Sequence, residues 1–275
     1  MQNDIVSRYY DVLNEVKNGA PAEWNNVIAL CEAVPKSIDI DKFWTHGRDK
    51  PCWSNIRVPV GERIASDLNR SKDFNSFNLI ASDAWEIVML ARGPKWKSNP
   101  NFKVVGDSAN KFLLSLSRGG LASYKWRLYA IRQYALSLGN EDGVLPMVRS
   151  VIERPHSLTS ENIYTWSKRF AEKAGAGWGA TTVNHLLTDL GLSVKPDLHL
   201  RRSAVRLGLL QSIPSNLPVE EIDKNSAKLD QMVVPAVINM ALRVTPTASP
   251  TSTNAIREVD KVLMEWSRMG FLRAL

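Results

Sequence analysis

Apolar positions recur along most of the chain at helical spacing, and almost nowhere alternate as a strand would. Ile5, Tyr9, Val12, Leu13 and Val16, then Trp24, Val27, Ile28 and Leu30, flank Gly19-Ala20-Pro21, which predicts two helices over residues 4–34 joined at that break. From Pro35 to Pro59 the pattern breaks up around Trp44, His46, Cys52 and Trp53, as in a lid or a packed loop. Helical spacing returns over Gly61 to Leu68 and over Phe77 to Ala91, where Leu79, Ile80, Trp85, Val88 and Met89 fall on or near one face. The segment Arg92 to Lys103 mixes cations with Trp96 and Phe102 and is kept irregular by one Gly and two Pro. It reads first as a solvated loop with Trp96 in the core, and second as a loop that lays cations on phosphates and a ring on a base. Further helices are predicted over 108–117, 124–138, 147–153 and 161–174. In the second of these, Tyr124, Trp126, Tyr129 and Tyr134 beside Lys125, Arg127 and Arg132 read as core rings.

The stretch Gly175-Ala176-Gly177-Trp178-Gly179-Ala180-Thr181-Thr182 reads as a glycine hairpin that opens a helix. Three glycines within five residues leave a backbone that a ligand can approach, and the first N–H groups of the next helix favour an anion, with a DNA phosphate the natural candidate. That helix shows the stripe Val183, Leu186, Leu187 and Leu190, and Gly191 stops it. A short loop, Val194-Lys195-Pro196-Asp197, then leads into a basic helix carrying Arg201, Arg202 and Arg206. Asp197, after Pro and before a helix, has by itself the look of an ordinary N-cap. An apolar stretch from Met232 to Leu242, a Pro/Thr/Ser-rich loop from Thr245 to Thr253 and a last helix from Ala255 to about Met269 complete the chain, and the expected fold class is all-α.

Composition narrows the chemistry. Thirty-five Lys+Arg against 28 Asp+Glu give a net charge of +7 over 275 residues, which favours a polyanionic partner without requiring one. Cys31 and Cys52 are too few for a disulfide framework or a four-cysteine cluster, and His46, His156 and His185 show no ligand spacing, so no metal and no cofactor are expected. No apolar run approaches a membrane span and the first residues lack a signal pattern, so a cytoplasmic monomer with no membrane partner is expected.

Taken together, the hairpin and the downstream carboxylate resemble the helix-hairpin-helix superfamily of base-excision DNA glycosylases. The matching residues are Gly177, Trp178, Gly179 and Thr182, then Val194, Asp197, His199, Leu200, Arg202 and Arg206-Leu207-Gly208, within Ile163 to Leu209. The chain departs from those relatives that carry a four-cysteine iron–sulfur motif. The resemblance implies two helical subdomains with a catalytic Asp at the cleft between them. The corresponding regions are 1–107 (a possible base pocket and lid), 108–210 (the helix-hairpin-helix core) and 211–275 (packing on that core).

Cleavage of a C1′–N bond builds positive charge on the deoxyribose, which a carboxylate stabilises while it orients or deprotonates water. By position that residue is Asp197. Strand-cutting members carry a lysine nucleophile where this chain has Thr181, so the resemblance implies a monofunctional enzyme that leaves an abasic site. Lys173 and Lys195 are nearby in sequence and read as solvated or phosphate-facing charges, and the resemblance implies for His199 a supporting role at the backbone or loop, beside its plainer reading as a structural donor. Gly175, Gly177, Trp178, Gly179, Thr182, Lys195, Arg201 and Arg202 are the expected contacts to double-stranded DNA containing a damaged or modified base, in repair or in defence against modified phage DNA. Trp178 packs between helices or reaches toward the minor groove. The target base must be flipped, and Trp44, Trp53, Trp85, Trp96 and Trp126 are candidates for pocket walls. A non-catalytic helix-hairpin-helix module and a partner-binding helical protein are the competing readings.

Overall fold

The computed structural model describes residues 2–53, 58–90, 101–116, 121–248 and 255–270. Among these, helices predominate and a single two-stranded sheet interrupts them. The first two helices, α1 (Gln2–Gly19) and α2 (Pro21–Glu32), meet at the predicted break, with Pro21 in the first turn where its missing N–H costs nothing.

Two stretches differ from expectation. Within the segment read as a lid or loop, α3 (Ile40–Gly47) forms, capped by Asp39, whose carboxylate accepts from Lys42 N at 2.7 Å. Its Phe43 and Trp44 are both buried. After α4 (Val58–Asn69), the helix expected over 77–91 stops as the short α5 (Phe77–Ala81). Ser82 turns its hydroxyl onto Leu79 O at 2.6 Å and adopts an extended backbone, a local bond that competes with helix continuation. A 3-10 turn, Asp83–Trp85, follows. The chain then runs as β1 (Ile87–Met89), antiparallel to β2 (Phe102–Val104), with Val88 opposite Lys103.

The remaining helices are α6 (Asp107–Ser115), α7 (Leu121–Leu138), α8 (Leu145–Glu153), α9 (Ile163–Ala174), α10 (Ala180–Asp189), α11 (Leu198–Arg206), α12 (Val219–Lys224), α13 (Ser226–Ala241) and α14 (Ile256–Arg268). Residues 91–100, with Trp96, and 249–254 of the Pro/Thr/Ser-rich loop lie outside the described residues.

The chain divides into two compact units that interleave along the sequence, whereas the three expected regions are consecutive. Unit 1 comprises 1–37, 158–167 and 184–275; unit 2 comprises 38–157 and 168–183. In unit 1, α14 packs against α1, α2, α11 and α13 and buries Val259, Val262, Leu263 and Trp266. Several of its polar groups are buried as well, and some of them have clear partners. Glu258 accepts from the Tyr9 hydroxyl at 3.4 Å and from the amides of Thr247 and Ala248, while the Trp266 indole donates to Glu15 at 2.8 Å. In unit 2, α7 packs on α5, β1 and β2, and Tyr134 centres a cluster of rings with Trp44, Phe170 and Trp178.

Candidate functional site

The hairpin belongs to unit 2 and is built on steric need. Gly175 and Gly177 have φ of +92° and +97°, the left-handed region that side chains avoid. A Cβ on Gly177 would lie 2.5 Å from Ala130 Cβ, so close approach to α7 also demands glycine there. Gly179 differs: its φ is not positive, and an added Cβ would meet nothing within 4 Å. Of the three glycines, it is the one that the chain's own packing does not require. Val183 N donates to Gly179 O at 3.0 Å, which starts α10, and Thr181 and Thr182 sit in its first turn, Thr181 exposed.

Trp178 is 9% exposed. Its ring centroid lies 4.5 Å from that of Tyr134 and its indole donates to Ala130 O at 3.4 Å. Of the two roles expected for it, the buried side chain fills the packing one. The default state of a large ring beside other rings is burial.

The carboxylate segment belongs to unit 1. Ser193 donates to the Asn184 side chain at 2.6 Å and Asn184 is fully buried, which ties the loop after α10 back onto that helix. Asp197 then N-caps α11: Oδ1 accepts from His199 N at 2.9 Å and Leu200 N at 3.0 Å. Its Oδ2 has no hydrogen-bond donor among the described residues; Lys195 Nζ lies 4.0 Å away, and the side chain is 22% exposed. One oxygen is therefore committed to the helix, and the other lies beside an ammonium. His199 Nδ1 lies 3.1 Å from Ser267 Oγ. Burial lowers the His199 pKa, helped by Arg202 and Arg268 and opposed by Asp197 and Asp223, which favours the neutral ring.

The expected phosphate-gripping arginines are otherwise occupied. Arg201 Nη1 donates to Asp230 at 2.7 Å and to Pro196 O at 3.0 Å, with both charged side chains nearly buried. Arg202 pairs with Asp223 through two bonds of 2.7 and 3.3 Å. Each of the two cations thus has a carboxylate partner within the protein. Lys173 donates to Asp142 O at 2.7 Å.

Trp44 and Trp126 are buried among other side chains, and Trp53 lies by Asp49. Trp85 lines a cavity of about 330 Å3 in unit 2, with Asp67, Asp73, Lys111 and Phe112. Its indole donates to Asp73 at 2.9 Å. No His/Cys/Asp/Glu group among the described residues has the arrangement of a metal site, and no described helix is long and apolar enough to cross a membrane.

Sequence reasoning missed the residues behind Asp197. Asp260 of α14 accepts the Lys195 amide at 2.8 Å, and Arg257 lies 3.7 Å from Asp260 and 2.9 Å from Asp189. The available signal was the run of charges Arg257, Glu258, Asp260 and Lys261 inside a helix whose apolar residues also read as core. No family model, curated protein or solved structure matches the chain.

Proposed function

We propose that the chain is a monofunctional DNA N-glycosylase that flips a damaged or modified base out of the duplex and hydrolyses its N-glycosyl bond, with Asp197 as the essential carboxylate. The observation that carries the reading is the division of labour within that carboxyl group. Oδ1 caps α11 through two amides, and Oδ2 is left without a donor beside Lys195. Such an oxygen is suited to stabilising charge that develops on a sugar and to orienting water, while the cap holds it in place.

The hairpin supports the same reading from the binding side. Gly179 adds no side chain at a position where one would fit, so a duplex backbone can come close to the chain there. Lys195, 32% exposed, is the cation of this segment placed to meet a phosphate. Thr181 occupies the position of the lysine nucleophile, which is why water rather than an amine is the attacking group.

The test is excision on duplexes carrying alkylated, oxidised, deaminated and phage-type modified bases, scored as alkali-labile sites. Wild type is expected to leave abasic sites on one class without a borohydride-trapped adduct. Asp197→Asn keeps a capping side chain and is expected to lose at least about 100-fold in single-turnover rate, in line with the loss of one preorganised electrostatic group. Full activity in that variant refutes the assignment. The completeness of the cap favours one second reading: a DNA-binding module in which Asp197 is structural alone, recognised by duplex binding without abasic product on any substrate.

A further inference from the structure

The turn that carries Asp197 is anchored at a distance. Lys195 O accepts from Asp197 N at 2.7 Å, closing a three-residue turn over Pro196, whose ring restricts the backbone at its centre. The other side of Lys195, its N–H, donates to Asp260 Oδ1 at 2.8 Å. Asp260 is 3% exposed, and its Oδ2 lies 3.7 Å from Arg257 Nη1. Arg257 is 7% exposed and reaches Asp189, at the end of α10, with Nη2 at 2.9 Å. A buried carboxylate is costly, and removing it from water pushes the Asp260 carboxyl up, against the pull of Arg257, Lys261 and the Lys195 amide. An apolar residue at this place would spare that cost but would leave the Lys195 amide without its acceptor.

We propose that Asp260, steadied by Arg257, is a positioning residue that holds the Lys195-Pro196-Asp197 turn so that Asp197 Oδ2 stays fixed for reaction. This rests on the glycosylase reading. The experiment compares Asp260→Ala, Asp260→Asn and Asp260→Glu in single-turnover excision and in affinity for unmodified duplex. Asp260→Ala is expected to lose about 10–100-fold in rate, the scale of a displacement of about 1 Å at a reacting group, with affinity changed less than about 2-fold. Asp260→Asn keeps an oxygen for the Lys195 amide and is expected to recover to within about 5-fold of wild type, because the acceptor is retained. Asp260→Glu keeps the charge but moves the acceptor by one methylene; it is expected to lose rate at unchanged affinity, and it carries the test if the alanine variant does not fold.

Wild-type rate in Asp260→Ala or Asp260→Glu, equal losses in the Ala and Asn variants, or rate and affinity falling together would overturn the proposal. A second readout needs no substrate. In 15N–1H spectra and amide exchange, Asp260→Ala, or Asp260→Glu in its stead, is expected to shift the amides of Lys195, His199 and Leu200 and to speed exchange at Lys195. If wild type excises nothing, the functional reading fails while these amides still decide whether Asp260 holds the turn. If the amides do not move, the positioning role fails whatever the enzyme does.

Discussion

At the glycine hairpin the chain is held by rings and backbone sterics; at the Asp197 turn it is held by charges. Trp178 lies among Tyr134, Phe170 and the Ala130 backbone, and two positive-φ glycines shape the bend around it. The Asp197 segment instead hangs on Asp260 and Arg257 through the Lys195 amide, while Arg201 grips both Asp230 and the Pro196 carbonyl. Packing of the first kind responds little to pH and to salt only through apolar hydration, whereas the second responds to pH and to charge screening to the extent that water reaches it. A scaffold that must present a backbone surface gains from the first kind. One that must present a single oxygen gains from the directional bonds of the second.

That contrast breaks if the hairpin tolerates loss of its ring. Trp178→Ala is expected to cost about 3–5 kcal/mol in denaturant unfolding, the usual range for emptying a buried aromatic site. Retained stability would mean that the rings do not hold the bend. Next in size is Arg201→Met, expected to cost about 3 kcal/mol because it strips a nearly buried carboxylate, Asp230, of its guanidinium. Its affinity for unmodified duplex is expected to change less than about 2-fold, as befits an arginine engaged internally. A large loss of affinity with little loss of stability would return Arg201 to the phosphate-binding role.

The smallest effect sharpens the electrostatic half. His199 has a folded-state pKa below its ordinary 6.5, chiefly from burial, so the unfolded chain binds its proton more readily than the folded one. Stability is therefore fully present above pH 6.5 and falls as the pH drops below it. His199→Gln is expected to flatten that slope in unfolding midpoints measured across this range, and Trp178→Ala to leave it unchanged.

Local periodicity made most of the helices legible, though not α3, and the stripe Val183, Leu186, Leu187 and Leu190 is fully realised as the buried face of α10 and the residue after it. So were the bend and the cap, since positive-φ glycines and a Pro-Asp before a helix act over a few residues. What escaped is non-local. Ile87–Met89 becomes a strand only because Phe102–Val104, beyond a long connection, pairs with it. Arg201 and Arg202 pair with Asp230 and Asp223, which lie 29 and 21 residues away. Asp260 is 65 residues from the amide it holds, and no spacing rule reaches that far.

The place of α14 in the chain has a consequence for biogenesis. Trp266 bonds Glu15 across 251 residues, and Glu258 bonds Tyr9 across 249. During synthesis, α1 and α2 emerge well before α14, which packs on both, while unit 2 draws its residues from 38–183 and has all of them before α14 is made. Closing so long a loop costs entropy and waits for α14, so unit 1 is expected to complete its core after unit 2.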